Sequence, residues 1–351
     1  MPSWRTKTSS APRASPAPPR RPAGRALASL GLAMIAAAPA FATEHPGDHP
    51  GRSMTVGAAR LFVETEGSGP PLVLLPAGPG LDHGYFHPYL SALAPFARVI
   101  YLDPRGCGRS VLAGPAGYSL DAMVADLEDV RREMGLETID LLGHGMGEAV
   151  AALYAARHPE RVGRLIFLGA ALEVVSLPES PGLLSAATPG MREAIEALPG
   201  NRYLSEDGRM RERLRILAPL MFHRLTDRSF HNAFAERITT SAEAHDALAP
   251  GFAGPEPAAA LAAALGRLKA PVLIVAGRHD RTSSPEAAEA VRRAVPGARL
   301  VILEESGSFP FAEQPVDFLK AVKAFLTGDA KVGAPAGRVP GEGGAGAGGG
   351  I

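Results

Sequence analysis

Six short apolar runs punctuate the middle of the chain: residues 72–75 (LVLL), 99–102 (VIYL), 139–142 (IDLL), 165–168 (LIFL), 272–275 (VLIV) and 300–303 (LVIL). Near-continuous apolarity over so few residues, with Val and Ile prominent, predicts strands covered on both faces. Between the runs the pattern turns helical. Its clearest stretch follows Ser119, a suitable N-cap, with Leu120, Met123, Val124, Leu127, Val130 and Met134 on one face and acids on the other. Strands alternating with helices predict a parallel α/β sheet built from right-handed crossovers. Residues 60–66 (RLFVETE) read as an extra edge strand ahead of the first run.

Most runs lie roughly 25 to 40 residues apart, as strand–helix–strand units require. Between Leu168 and Val272, however, about a hundred residues carry no strong strand signal, only amphipathic pieces such as 210–220 and 258–268. A helical insertion there forms a lid over the carboxyl edge of the sheet, where open α/β sheets bind their ligands. The division is residues 43–172 and 269–327 for the sheet domain and 173–268 for the lid.

Both ends of the 351-residue chain differ from this core. Residues 1–42 hold six basic residues and no acid, then an apolar stretch around residues 26–35 and the small-x-small triplet Ala40-Phe41-Ala42. That order reads as a secretory signal peptide, and the apolar run is too short and Ala-rich to span a membrane comfortably. The rest carries 30 basic and 36 acidic residues, a net charge of −6, so no basic surface points to nucleic acid. Residues 328–351 are dominated by Gly, Ala and Pro and cannot bury a core, so a disordered tail is expected. The lone Cys107 excludes an internal disulfide and a Cys-cluster metal site.

The chemistry lies in the turns after the strands. The third run ends in Leu142-Gly143-His144-Gly145-Met146-Gly147-Glu148 and leads into an Ala-rich helix, the context of a G-x-S-x-G nucleophile elbow. With it come Pro76-Ala77-Gly78-Pro79-Gly80 after the first run, Asp103-Pro104-Arg105-Gly106-Cys107-Gly108-Arg109-Ser110 after the second, and Gly277-Arg278-His279-Asp280 after the fifth. From about residue 60 to 326 the chain resembles the α/β-hydrolase fold, and within it the proline iminopeptidase-like hydrolases. The resemblance implies an oxyanion hole from the backbone N–H groups of Ala77 and Met146, with Asp280 at the position of the triad acid.

The other two triad positions depart from the family. The serine nucleophile is replaced by Gly145. The family's base is a histidine in an S-G-H-F-P loop, which here reads Ser306-Gly307-Ser308-Phe309-Pro310, so Ser308 stands in its place. Glycine cannot attack, and a serine hydroxyl cannot act as a base near neutral pH. Pro76 also replaces the histidine of the family's first loop.

Other candidates read first as structure. Glu148 is a capping charge at a helix N-terminus, or else a carboxylate aimed at the emptied pocket. His144 and His279 read as loop or packing residues and Cys107 as a packing thiol. His83 and His87, at helical spacing, lie near the pocket mouth. No cofactor is implied and no metal site is expected. Two functions stay open. One is an exported, periplasmic or secreted pseudo-hydrolase that binds a small apolar or peptide-like ligand under the lid. The other is a hydrolase of ester, amide or N-terminal peptide bonds with a residual mechanism, using Asp280 or Glu148. The family's aminopeptidases bind a free amine through lid acids, and this lid offers Glu193, Glu206, Asp207, Glu212 and Glu236. Neither function involves nucleic acid or a stable membrane span once the leader is removed.

Overall fold

Each of the six apolar runs is a strand in the computed structural model, which describes residues 51–112, 117–169, 180–252 and 255–328. They are β3 (Pro71–Leu75), β4 (Arg98–Leu102), β6 (Ile139–His144), β7 (Val162–Leu168), β8 (Val272–Gly277) and β9 (Arg299–Leu303). All pair in parallel, in the order β4-β3-β6-β7-β8-β9. β1 (Gly51–Val56) and β2 (Ala59–Glu66) form an antiparallel hairpin added beside β4, and the short β5 (Val111–Leu112) pairs with β2.

Alternate residues of the central strands feed two cores, which is why their sequences are apolar without a break. Val73, Leu75 and Leu141 pack under α1 (Leu120–Glu133) and α2 (Met146–Arg157). Leu72, Leu74 and Leu142 face the opposite layer, built from the lid helices and α11 (Pro315–Thr327). Leu142 is fully buried, and its truncation to Ala would cost about 2–5 kcal/mol. Ser119 caps α1 by accepting from the N–H of Ala122 at 3.1 Å, a contact worth about 1 kcal/mol.

Residues 60–66 do form a strand, but not an edge. β2 is paired on both sides, and the edge is β1, whose GRSMTV sequence buries only Met54 and Val56 and so carries little apolar signal. Between β7 and β8 come α3 (Pro181–Ala186), α4 (Pro189–Ala197), α5 (Glu206–Met221), α6 (Arg228–Glu236), α7 (Ala242–Leu248) and α8 (Pro255–Leu265). Leu261, Ala264 and Leu265 of α8, like Leu248 and Phe252 ahead of them, join the core formed with α2 and α9 (Pro285–Ala294).

Gly328, at φ 75°, closes α11 in the left-handed conformation that ends many helices. The expected leader, the tail beyond Gly328 and residues 173–179 of the lid lie outside the described residues. Among the described residues no helix is long and apolar enough to cross a membrane.

Candidate functional site

The elbow forms because β6 must reverse sharply into α2. Gly145 sits at its tip with φ 52° and ψ −115°, a conformation that side chains adopt only under strain. Two residues on, a Cβ at Gly147 would lie 2.1 Å from the carbonyl oxygen of Leu75, so helix and strand meet too closely for any side chain there. A Cβ added at Gly145 would meet the Ala77 methyl at 3.3 Å. The tip is partly exposed, as a nucleophile's position must be. Met146 opens α2, so its N–H is one of the donors that a helix leaves without an internal partner.

The loops after β8 and β9 bring Asp280 and Ser308 into direct contact. The Ser308 hydroxyl donates to Asp280 Oδ1 at 2.6 Å. The same oxygen accepts from the Thr282 hydroxyl at 2.7 Å, the Thr282 N–H at 2.8 Å and the Ser283 N–H at 3.2 Å. Burial raises the Asp280 pKa, opposed by these donors. The backbone contacts also order the turn into α9, so Asp280 has a structural role whatever else it does.

Ala77 does not present a bare oxyanion donor. Its N–H donates to the hydroxyl oxygen of Tyr85 at 2.7 Å, and that hydroxyl lies 3.0 Å from His144 Nδ1. The His144 ring also bonds the Ser308 backbone, which joins the first loop to the base loop. Burial pulls His144 down to about 4, so it is neutral over most of the pH range. Phe309 lies edge-on to His144 at 5.4 Å and meets Phe234 at 4.6 Å and Phe222 at 4.9 Å, forming an aromatic wall between elbow and lid.

The lid is tied down at both ends. The Ser241 N–H donates to the Gly80 carbonyl at 2.8 Å, and the Thr239 N–H to Asp82 at 3.0 Å. On the other side Glu313 accepts from the N–H groups of His223 at 2.7 Å, Arg224 at 2.6 Å and Gly307 at 2.5 Å. Nothing in its sequence context marked Glu313, which lies five residues beyond Ser308. Tyr85 and Thr282 were likewise not singled out, since their roles arise only once separate loops meet.

The remaining candidates scatter. Glu148 is buried beside Ala152, Phe167, Leu261 and Val291, in the helix layer rather than at the emptied pocket. Cys107 is fully buried and its pKa is pushed up by burial. His279 stacks on His223 with ring centres 3.5 Å apart. Glu206 pairs with Arg209, Glu212 with Arg215, and Asp207 accepts from the Ala242 N–H, while Glu193 and Glu236 are exposed. His83 and His87 are not at a pocket mouth but buried against Glu64 of β2.

The family model for the alpha/beta hydrolase fold matches residues 70–315, which include the elbow, the lid and both acid and base loops. The chain belongs to the alpha/beta hydrolase fold family. Some curated hydrolases match it over nearly their whole length. A pimeloyl-[acyl-carrier protein] methyl ester esterase of Aeromonas hydrophila is 30% identical over 273 residues, 76% of this chain and 99% of that one. A 2-hydroxymuconate semialdehyde hydrolase of a Pseudomonas species is 27% identical, covering 79% and 93%. A proline iminopeptidase of Lactobacillus helveticus is 39% identical over a shorter stretch, 31% of this chain and 38% of that one. Among solved structures, an esterase from Thermogutta terrifontis superposes with a TM-score of 0.63 at 24% identity, covering 80% and 98%. At that identity the likeness speaks for the fold alone.

Proposed function

We propose that this hydrolase-fold protein is an exported pseudo-hydrolase, a binding or accessory protein for a small apolar or peptide-like ligand. The observation that carries the reading is the direct 2.6 Å hydrogen bond from Ser308 to Asp280, at the place where family members hold a histidine ring against the acid. A hydroxyl locked to a carboxylate cannot take a proton from a nucleophile, and Gly145 has none to give. The Tyr85 hydroxyl on the Ala77 amide supports the same reading, because that donor is engaged inside the protein. Export rests on the composition of residues 1–42.

A ligand has room in the lid. A cleft of about 270 Å³ opens between α4, α5 and α7, with Ile195, Leu198, Pro199 and Met210 as its apolar lining and Arg209 and His245 among its polar groups. Apolar walls beside Glu206, Arg213 and Asp246 as further charged groups suit a small ester-like or peptide-like molecule. The relatives' names, an esterase and a semialdehyde hydrolase among them, supply that chemical class. The ester and amide hydrolase reading loses one of its two proposed carboxylates, since Glu148 lies in the helix layer.

Native mass spectrometry of the purified protein, with a panel of short-chain esters and aminoacyl amides added, tests the reading. The expected result is a one-to-one complex whose ligand mass does not change with time, and no labelling by a fluorophosphonate serine probe. Stoichiometric labelling, or conversion of bound ester to acid, would overturn it.

A further inference from the structure

A second buried polar cluster lies away from the elbow, where β2 passes beneath the first loop. Glu64 on β2 is paired opposite Tyr101 of β4, which turns its carboxylate toward the short 3-10 turn Gly84–Phe86. That turn is flanked by His83 and His87, so both rings reach the same carboxylate. His87 Nε2 lies 3.1 Å from Glu64 Oε1, and His83 Nε2 lies 3.5 Å from Glu64 Oε2. All three residues are at most 3% exposed.

We propose that Glu64, His83 and His87 bind a divalent transition-metal ion of the zinc class, through one Glu64 oxygen and the Nε2 atoms of both histidines, with one position left for water.

Three observations carry this. One ligand atom from each residue lies within 4.8 Å of the other two. A tetrahedral ion with bonds of about 2.0–2.1 Å needs ligand atoms about 3.3–3.4 Å apart, and the ligating pair Glu64 Oε1 and His87 Nε2 is 3.1 Å apart. Secondly, Glu64 Oε1 and His83 Nε2 are buried without a well-formed hydrogen bond. A simple histidine–glutamate ion pair in so dry a place would align them. Thirdly, the far nitrogens are backed as metal-bound imidazoles usually are. His83 Nδ1 lies 2.5 Å from Asp103 Oδ1, and His87 Nδ1 lies 3.4 Å from the Ser91 hydroxyl and 3.6 Å from Glu66.

The surroundings fit a cation. Asp103, Asp82 and Glu66 bring negative charge, and Arg109, 3.4 Å from Glu64 Oε2, can hold the oxygen that does not ligate. Two imidazoles and one carboxylate suit zinc and cobalt better than calcium or magnesium, which prefer oxygen-only sets. The ion would pin β2 to the first loop. The same turn carries Tyr85, whose hydroxyl meets the Ala77 N–H.

The test uses the full chain without an added tag, stripped with a chelator and then dialysed against Co(II) or Zn(II). About one equivalent of Co(II) should bind and give the intense visible bands of a tetrahedral site, and Zn(II) should raise the melting temperature. Glu64→Gln and His87→Gln should each weaken binding at least tenfold, while His223→Ala at the surface should leave it unchanged. X-ray absorption on the unmodified protein supplies a readout that needs no variant, and should count two imidazoles around the metal. Absence of stoichiometric metal, a shell without imidazole, or full binding by both variants would overturn the proposal.

Discussion

At the elbow, the backbone is that of the family and two side chains depart from it. Gly145 keeps the strained φ of 52° and α2 presents its first amide, while Gly145 has no side chain and Ser308 donates its hydroxyl to Asp280. Beneath β2 the reverse holds. The backbone is an ordinary strand and a 3-10 turn, while Glu64, His83, His87 and Asp103 together form a cluster of reactive groups. The contrast separates two kinds of information. Turn geometry is held by glycines and close packing and does not depend on the side chains at the tip, whereas a buried charged cluster depends on every one of its members.

The largest effect should come from rebuilding the elbow. Gly145→Ser with Ser308→His restores nucleophile and base beside Asp280, and esterase activity should rise on the order of 100-fold or more over the parent. Either change alone should do almost nothing, because the triad acts as a unit. The serine pays about 1–3 kcal/mol of backbone strain. Adding Tyr85→Phe frees the Ala77 amide and should raise the rate about 100-fold further, the low end of what a single oxyanion donor is worth. Initial rates on a p-nitrophenyl ester decide all three. Equal rates in single and double variants would mean that the elbow has changed beyond its side chains.

Next in size is the tie between lid and base loop. Glu313→Ala removes a carboxylate that accepts from His223, Arg224 and Gly307, leaving buried donors unmatched. The expected loss is about 3 kcal/mol in denaturant unfolding. A loss below about 1 kcal/mol would show the lid to be held elsewhere.

A similar cost should appear with acid. Burial lowers the His144 pKa from its ordinary 6.5 to about 4 in the fold, so between those pH values the unfolded chain takes a proton that the folded chain refuses. Stability therefore falls as pH drops from about 6.5 to 4, by on the order of 3 kcal/mol, and levels off below. The difference between wild type and His144→Gln, followed by urea midpoint against pH, should close over that window. A constant difference would place the histidine's proton balance outside the fold.

The contrast also explains what the sequence made legible. Strands buried on both faces announce themselves, as residues 72–75 and 272–275 did, because each position is apolar for its own reason. β1 did not, since its register exists only through β2. The elbow was readable because glycines at 143, 145 and 147 are local requirements. The Tyr85 contact was not, because it joins positions in different loops. Nor was the β2 cluster: the spacing of His83 and His87 was visible, but Glu64 lies 19 residues before His83 and reaches it only through the pairing of β2 with β4.

The central claim, that the elbow carries no catalysis, is tested most directly by steady-state hydrolysis of a p-nitrophenyl ester by wild type and Asp280→Asn side by side. The account predicts that both run at the uncatalysed rate, without saturation and without difference between them. Saturable turnover in the wild type that Asp280→Asn abolishes, with the variant still folded, would contradict it.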